Sequence, residues 1–379
     1  MKRTVYSEDD EIFRLSVRRF LESHAVPHYE TWEQNGGTPD EFWRAAGEHG
    51  LLCCQIPSAY GGPGGSYRSL CIVSEEMAAL GIMAPNLQVH SDIVSEYLLN
   101  HGSEAQKLEW LPKMVSGEVR GAIAMSEPNT GSDLQAVRTS AIRHGDEFVL
   151  NGAKTFVTNG DQAGLYIVVA KTDPSQGSRG ISLFLVPRDL KGFKRGRKLN
   201  KLGLKAQDTA ELFFSDVRLP RSALLGQEGQ GFVYLMSELP QERLGIAVTA
   251  MSVAQRAFDL ALKYSKERSA FKRPILDFQN TRFKLAEIRT ELEVGWAFLD
   301  KCIAAHSDGV LTVPEVAMAK LWTTELQARV IDTCLQFFGG YGYMLEYPIS
   351  KMFVDARVAR IYGGTSEIMK EIIGRSLDD

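Results

Sequence analysis

The chain has 379 residues, with 43 lysines and arginines against 47 aspartates and glutamates. This length exceeds one typical domain and suggests two or three structural units. The near balance of charge gives no reason to expect nucleic acid or an anionic membrane surface as a partner. Because no apolar run approaches the roughly 20 residues that span a bilayer, we expect a globular protein without a membrane span.

The first part of the chain predicts helices. From Ser7 onwards, apolar residues recur at helical spacing with charged residues between them. Loops rich in glycine and proline, most clearly residues 60–66, separate the later helical patterns. We therefore expect an N-terminal helical domain over residues 1–120. Its further predicted helices cover residues 39–49, 67–80, 90–100 and 105–115.

The cysteine pattern predicts neither a disulfide framework nor a metal site. There are five of them, an odd number, and they lack CxxC or Cys/His metal spacing. We expect reduced, mostly buried thiols and predict no metal site.

Residues 121–133, GAIAMSEPNTGSD, mark a change from helix to strand. The apolar run from Ala122 to Met125 is typical of a strand that is buried on both faces. Pro128 then breaks the strand, and small polar residues follow it. With Gly131 allowing a close approach, this loop could hold a phosphate-bearing ligand. The alternative is a bare turn between two strands.

Strand patterns continue to about residue 230. Residues 148–150 and 153–157 flank Asn151-Gly152 and predict a hairpin, because Asn-Gly supplies both positive-φ residues of a tight turn. We interpret the basic run over residues 191–205 as a solvated strand face. A middle β domain is expected over residues 121–230. Its other predicted strands cover residues 166–170, 181–186 and 210–214.

Helical periodicity returns at Gly231. Long amphipathic patterns occupy residues 248–267, 277–307 and 313–338, and a last helix is predicted after Thr365. We expect a C-terminal helical domain over residues 231–379. Successive helical, strand and helical units predict an α+β fold.

Two motifs carry a family resemblance. The segment AMSEPNTGSD, residues 124–133, resembles the first signature of the acyl-CoA dehydrogenases, and residues 341–365 resemble a second family stretch near the C-terminus. The resemblance runs from about residue 7 to the end. It is closest to the long-chain branch, through the segments ELPQERL, KAQDT and IYGGT.

The resemblance implies both a fold and a reaction. The fold is an N-terminal helical domain, a middle β-barrel or sandwich, and a C-terminal four-helix bundle. The reaction is FAD-dependent oxidation of saturated acyl-CoA thioesters, of medium to long or branched chain, to trans-2-enoyl-CoA in fatty acid β-oxidation. That chemistry requires a base for the α-proton, an acceptor for the β-hydride and hydrogen bonds to the thioester oxygen.

The resemblance also implies which residue is the base. Many relatives carry a glutamate where this chain has Gly363, which has no side chain to accept a proton. In the long-chain and isovaleryl branches an earlier helix supplies the carboxylate, and the matching residue here is Glu242. We expect Pro240 in the first turn of that helix and a raised pKa for Glu242. The alternative is an ordinary acidic residue near a helix start.

Gly363 is expected to act through its backbone. In the family, the amide at this position helps to hydrogen-bond the thioester carbonyl, a role that needs no side chain.

The resemblance assigns a set of residues to the flavin. Thr158 matches the hydroxyl that bonds flavin N5, and Phe156 would lie beside the ring, where many relatives have tryptophan. The alternative for Phe156 is a core strand residue. The residues implied for the flavin of one subunit are Met125, Ser126, Gly131, Ser132, Phe156, Thr158, Thr365 and Glu367.

A second subunit is expected to hold the adenine half of FAD, through Arg268, Phe271, Gln336 and Gly340. The Arg268 guanidinium suits a phosphate because it can bond two oxygens at once. Lys272 stands where relatives usually have glycine, a departure that bears on the local turn. A cofactor shared across an interface implies a homo-oligomer, at least a dimer and expected to be a dimer of dimers.

For the substrate, the resemblance implies Ser132, Arg243 and Tyr362. Arg243 matches a residue near CoA, and Tyr362 would line the acyl cavity together with residues 85–98.

His90, Ser91 and Asp92 make this lining more polar than a plain fatty chain needs, unless they cap or start the next helix.

The resemblance further implies an electron-transfer flavoprotein as electron acceptor. Since mitochondrial relatives need a presequence that MKRTVYSEDDEIFR does not resemble, a bacterial cytoplasmic protein, or a mature form already cut, is expected. Two other interpretations stay open. One is an enzyme with a carrier-protein thioester as substrate or oxygen as acceptor. The other is a non-catalytic flavin-binding paralogue in which Gly363 marks a lost base.

Overall fold

The computed structural model describes residues 2–377, and its N-terminal part is helical as predicted. Helix α1 begins after Ser7, whose hydroxyl accepts a hydrogen bond from the Asp10 amide while the Asp10 carboxylate accepts one from the Ser7 amide. The helices are α1 (Glu8–His24), α2 (Tyr29–Asn35), α3 (Asp40–Glu48), α4 (Tyr67–Leu80), α5 (Ser95–His101) and α6 (Glu104–Val115).

A π-helical segment, Val89–Val94, leads directly into α5. Its wider turn buries His90, Ser91 and Asp92 together. The His90 imidazole accepts a hydrogen bond from the Gly121 amide at Nδ1 (3.0 Å) and donates from Nε2 to the Met114 carbonyl (3.0 Å). Burial lowers the His90 pKa to about 4, so this neutral imidazole joins the segment to the start of the β domain.

The middle of the chain forms an eight-stranded sheet. The strand order is β6-β7-β3-β2-β4-β5-β8, and β1 pairs in parallel with β4. The strands are β1 (Gly121–Ala124), β2 (Ser140–His144), β3 (Glu147–Thr158), β4 (Leu165–Lys171), β5 (Ile181–Pro187), β6 (Phe193–Lys198), β7 (Thr209–Pro220) and β8 (Leu224–Leu225).

The predicted hairpin at Asn151-Gly152 is wrong. Strand β3 runs through both residues, with a bulge there in its pairing with β7. A Cβ at Gly152 would lie 2.5 Å from Thr139 Oγ1, so glycine is needed for close packing rather than for a turn. The turn comes earlier, between β2 and β3, where Gly145 has a φ of 63°.

The sheet folds over onto itself. The rings of Tyr166 on β4 and Phe193 on β6 lie 5.0 Å apart, although three strands separate them in the sheet. Phe148 on β3 and Phe184 on β5 make a similar edge contact at 5.0 Å. These side chains belong to a core that is separate from that of the helices. Only residues 193–198 of the basic run form a strand, β6, whose charged side chains are exposed; Lys201, beyond it, is partly buried.

The C-terminal part is again helical, as predicted. Helices α7, α8 and α9 pack against one another, and α10 and α11 pack on α9. One hydrophobic core joins them to the N-terminal helices and includes Ile72, Met251 and Leu326. The helices are α7 (Gly231–Glu267), α8 (Gln279–Ser307), α9 (Val313–Phe338), α10 (Pro348–Ala356) and α11 (Ser366–Arg375), with short strands β9 (Ser269–Ala270) and β10 (Arg273–Pro274) after α7.

The prediction that Pro240 lies in the first turn of its helix is wrong. Helix α7 begins at Gly231, and Pro240 lies inside it. The apolar pattern had suggested a later start, whereas α7 continues through the proline with one backbone hydrogen bond fewer. Glu242 therefore lies about three turns into the helix. Because Glu242 lies in the interior of α7, it is not an ordinary acidic residue near a helix start.

Among residues 2–377, no helix combines the length and apolar character needed to cross a bilayer.

Candidate active site

Glu242 on α7 is a buried carboxyl group. Its side chain is 6% exposed, and its Oε1 accepts a hydrogen bond of 3.1 Å from the hydroxyl of Tyr97 on α5. Burial raises the pKa of Glu242 to about 7, against the opposing effects of the Tyr97 hydrogen bond and the Arg243 charge. A carboxylate with this pKa can take up and release a proton near neutral pH.

Two cationic side chains hold the loop formed by residues 362–364. Arg243 donates from Nε to the Gly363 carbonyl at 3.1 Å. Lys320 on α9 donates from Nζ to the carbonyls of Tyr362, at 2.7 Å, and of Gly364. Burial, reinforced by the charge of Arg243, lowers the Lys320 pKa to about 8. Three successive carbonyls are thus held by side chains from α7 and α9.

Gly363 fits against α7 only because it has no side chain. Its φ is 62°, and a Cβ would lie 2.4 Å from Cδ1 of Ile246, one turn beyond Glu242. Within the described residues, the Gly363 N–H forms no hydrogen bond. The loop therefore offers a free donor close to the helix that carries the buried carboxyl.

The two other predicted residues of this segment lie at the start of α11. The Thr365 hydroxyl caps the helix by accepting a hydrogen bond of 3.3 Å from the Ile368 amide. Glu367 is exposed in the first helical turn.

A largely apolar cavity opens beside the same loop. Tyr362 lines it, and so do Ser91 and Asp92, whereas His90 is not part of the lining. Its apolar walls include Leu70, Val73, Met77, Ile82 and Ile246.

A second cluster surrounds the end of β1. The Ser126 carbonyl accepts a hydrogen bond of 3.0 Å from the Thr155 amide. The Met125 carbonyl accepts one of 2.9 Å from Lys154 Nζ. Met125 and Ser126 are thereby held beside the last part of β3.

A buried ion pair supports this cluster. Lys154 Nζ lies 2.8 Å from Glu127 Oε1, and the Glu127 carboxylate also accepts from the amides of Arg138 (2.7 Å) and Thr139 (2.9 Å). Burial alone would raise the Glu127 pKa, but the charge and hydrogen bond of Lys154 outweigh it and lower that pKa. Burial lowers the Lys154 pKa to about 8, although Glu127 opposes the shift.

An open face lies next to the Glu127–Lys154 pair and includes Gly131, Ser132, Phe156 and Thr158. Phe156 has a φ of 58° and is 70% exposed, which excludes the interpretation as a core residue. The Thr158 hydroxyl accepts a hydrogen bond of 3.3 Å from Gln207 Nε2. Gly131 has open space where a Cβ would lie, and Ser132 is exposed.

This open face fits a flavin. Phe156 offers an exposed apolar side chain for a flat ring. Two buried oxygen atoms, Gln207 Oε1 and Thr209 Oγ1, have no hydrogen-bond partner among the described residues. A polar ligand could supply their missing hydrogen bonds.

Arg268, Phe271, Gln336 and Gly340 lie elsewhere in the fold. They are exposed at the C-terminal ends of α7 and α9, where the rings of Tyr264 and Phe338 stack at 4.3 Å. This end of α7 is about 40 Å along the helix from Glu242.

Lys272, which stands where relatives are expected to have glycine, has a positive φ. Phe271 and Lys272 have φ values of 50° and 65°, so both adopt the left-handed conformation that glycine favours.

Several residues of these clusters were not predicted as site residues from the sequence: Tyr97, Glu127, Lys154, Gln207, Thr209 and Lys320. Lys320 had a detectable signal, because it follows Val316 and precedes Thr323, Thr324 and Gln327 on the buried face of α9. Gln207 lies in the segment KAQDT, which carried the resemblance but assigned no role to this residue, and Tyr97 had no signal because Glu242 is far away in the sequence.

Family models match three successive parts of the chain. The matches are the acyl-CoA dehydrogenase N-terminal domain at residues 7–118, the middle domain at residues 122–217 and the C-terminal domain at residues 229–377.

Relatives match over nearly the whole length. The mitochondrial long-chain specific acyl-CoA dehydrogenase of Sus scrofa is 50% identical over 99% of this chain and 88% of its own. A crystal structure of an acyl-CoA dehydrogenase from Geobacillus kaustophilus superimposes with a TM-score of 0.98 and 46% identity, covering 100% of both chains. A glutaryl-CoA dehydrogenase of Mycobacterium smegmatis, solved in complex with FADH2, gives 0.92 and 30% identity over 98% of this chain and 95% of its own. The chain therefore belongs to the acyl-CoA dehydrogenase family, FAD-binding oxidoreductases that act on CH–CH bonds.

Proposed function

We propose that this chain oxidises saturated acyl-CoA thioesters of medium to long or branched chain to trans-2-enoyl-CoA, with Glu242 as the base for the α-proton. The observation that carries the proposal is the buried Glu242 carboxyl, with a pKa of about 7, on the helix whose Arg243 binds the Gly363 carbonyl and whose Ile246 lines the apolar cavity. An intact base is the feature that argues against a non-catalytic paralogue.

Several residues of this chain contribute to the first step, the removal of the α-proton. Glu242 takes the α-proton of the thioester, and the Gly363 N–H donates to the thioester oxygen as negative charge grows there. Lys320 and Arg243 fix the carbonyls on either side of that N–H, so that the donor is in place before substrate arrives. FAD, when bound, supplies the acceptor for the β-hydride.

We assign the flavin to the open face formed by Met125, Ser126, Phe156 and Thr158, with Gly131 and Ser132 nearer the pyrophosphate. Thr365 and Glu367 complete the set at the start of α11.

We assign the adenine half of FAD to Arg268, Phe271, Gln336 and Gly340 of a second copy. Their distance from Glu242 along α7 supports this assignment, and so does the exposure of Phe271 (91%). The chain is accordingly proposed to act as a homo-oligomer, a dimer of dimers.

Two further assignments complete the proposal. An electron-transfer flavoprotein is the proposed acceptor, as the resemblance implies. The bacterial cytoplasm is the proposed compartment, which the free, buried state of all five cysteines supports.

The proposal is tested with purified, flavin-loaded protein. Acyl-CoA thioesters of increasing chain length are added without oxygen, and the visible flavin bands are followed. We expect bleaching with one length class, together with trans-2-enoyl-CoA detected by mass spectrometry. Bleaching with none of the CoA thioesters would contradict the proposal, and the same assay with acyl carrier protein thioesters would then identify the substrate.

The pKa of Glu242 predicts the pH dependence of the reaction. Because the base acts in its ionised form, kcat/KM should fall as the pH drops below about 7. Tyr97 lowers that pKa by hydrogen bonding to the carboxylate, so Tyr97→Phe should move the acidic limb to higher pH. A kcat/KM profile of both proteins tests this, and an acidic limb that stays in place would show that the Tyr97 hydrogen bond does not lower the Glu242 pKa.

The hydrogen bonds from Lys320 to the carbonyls of Tyr362 and Gly364 predict a lower reaction rate in Lys320→Met. One hydrogen bond from a charged donor contributes about 1.5–3 kcal/mol, so kcat/KM should fall by about tenfold to a hundredfold. Lys351→Met, which removes a half-exposed partner of Glu33, is the matched control and should leave kcat/KM unchanged. Equal kcat/KM values for both variants would show that Lys320 does not position the Gly363 N–H.

A further inference from the structure

The wall of the acyl cavity contains a polar group of side chains that the reaction does not use. Gln88, Ser91 and Asp92 line the cavity from the π-helical segment, and Gln327 lines it from α9. Ser91 and Gln327 are each only 2% exposed, and Asp92 is 6% exposed. A plain hydrocarbon chain would leave these groups facing apolar surface.

Several of these groups have no partner within residues 2–377. Gln88 Nε2, Ser91 Oγ and Gln327 Oε1 are buried without a hydrogen bond. A buried polar atom left unpaired costs about 1–3 kcal/mol, and native proteins keep few of them. The cavity therefore presents both unpaired donors and unpaired acceptors to whatever fills it.

Gly245 brings two of the polar side chains against α7. A Cβ at Gly245 would lie 1.8 Å from Gln88 Nε2 and 3.8 Å from Asp92 Oδ2. Gly245 is one turn beyond Glu242, on the same side of the helix. The amide donor of Gln88 and the carboxyl of Asp92, which both line the cavity, thus meet beside α7 about one turn from Glu242.

The chemistry of this pair selects the kind of group that it would bind. Burial raises the Asp92 pKa well above its usual range, and the charge of Glu96 adds to the shift, while the nearby Gln88 amide opposes it. The neutral acid is therefore favoured, which disfavours a cationic amine as the ligand. A hydroxyl group both accepts a hydrogen bond, here from Gln88, and donates one, here to Asp92 or Gln327, so it matches the set better than a carbonyl oxygen, which only accepts.

We infer that Gln88 and Asp92 form a subsite for a hydroxyl group on the acyl chain, so that hydroxylated acyl-CoA thioesters are preferred over plain ones of the same length. This inference rests on the proposed dehydrogenation and names its substrate class. A site that hydrogen-bonds a substrate hydroxyl discriminates strongly against the analogue that lacks it, because its own polar groups are then left unpaired.

The test compares dodecanoyl-CoA with a set of hydroxydodecanoyl-CoA isomers, in which the hydroxyl moves from the carbon after Cβ to the terminal carbon. The holoenzyme should show a kcat/KM at least about tenfold higher for one isomer than for the plain thioester. Gln88→Met and Asp92→Ala should each bring this ratio towards one. Met77→Leu, an apolar change in the same cavity, should leave it unchanged.

The outcomes separate this inference from the proposed function. Turnover of dodecanoyl-CoA and all isomers at similar rates would overturn the subsite, while the dehydrogenase proposal would stand. A preference that survives in both Gln88→Met and Asp92→Ala would also overturn it. Turnover of none of these thioesters would instead contradict the proposed function. If a variant fails to fold, binding of inert thioether analogues to the wild-type holoenzyme must show the same preference for the hydroxyl, or the inference fails.

Discussion

Glu242→Gln is expected to lower kcat/KM by about 10⁴-fold or more, at or beyond the upper end of the 10²–10⁴ typical of one general base. Glutamine keeps the size of the side chain and can still accept the hydrogen bond from Tyr97, so only the proton acceptor is lost. Of the carboxyls that line the cavity, Asp92 is no substitute because burial favours its neutral form, and Asp355 is bound by the Leu204 amide. The measurement is single-turnover flavin reduction by a good acyl-CoA substrate.

The control for this variant is Glu238→Gln, one turn earlier on α7. Glu238 pairs with His101 at 2.8 Å, and its charge is the smallest of the effects on the Glu242 pKa, so its loss should change the rate by only a few fold. Unchanged flavin content and melting temperature in Glu242→Gln would show that the effect is chemical. A Glu242→Gln protein as active as Glu238→Gln would remove Glu242 from the mechanism.

Glu127→Gln should destabilise the protein by about 3–5 kcal/mol and reduce its FAD content. The substitution leaves the buried Lys154 ammonium without its counter-charge, and removing one partner of a buried ion pair has a cost of this size. It also disturbs the anchoring of Met125, whose carbonyl binds the same ammonium. Urea unfolding and the flavin absorbance per chain are the two measurements.

A double variant separates the charge from the packing. In Glu127→Gln with Lys154→Met no charge is left unpaired, so part of the lost stability should return. Glu147→Gln is the surface control, since its pair with Arg218 is exposed and should contribute less than about 1 kcal/mol. A loss in Glu127→Gln no larger than that in Glu147→Gln would show that the buried pair does not support the fold.

The α, β, α order of the chain could be predicted because hydrophobic periodicity is a local property. Helices α4 and α9 begin and end where the pattern does. The hairpin prediction failed for a reason that is not local. Asn151-Gly152 is typical of a turn, but the glycine is required by the nearby Thr139, and pairing with β2 and β7 on both sides keeps the strand extended.

The candidate site was predictable only where a motif carried it. Glu242 and Gly363 came from the family resemblance, since neither residue alone differs from an ordinary glutamate or glycine. The partners that tune them are invisible in sequence. Tyr97 meets Glu242, and Lys320 meets the carbonyl of Tyr362, only after α5, α7 and α9 have packed together. The polar character of residues 90–92 was visible, but only the fold shows that Asp92 reaches the cavity and His90 does not.

The most direct test of Glu242 as the base is exchange of the α-proton. Flavin-loaded wild type and Glu242→Gln are incubated with an acyl-CoA substrate in D2O, without oxygen or any other electron acceptor, and deuterium at Cα is measured by mass spectrometry. The account predicts exchange in the wild type and none above background in Glu242→Gln, with ligand binding intact in both. Exchange at the wild-type rate in Glu242→Gln would show that another group removes the proton.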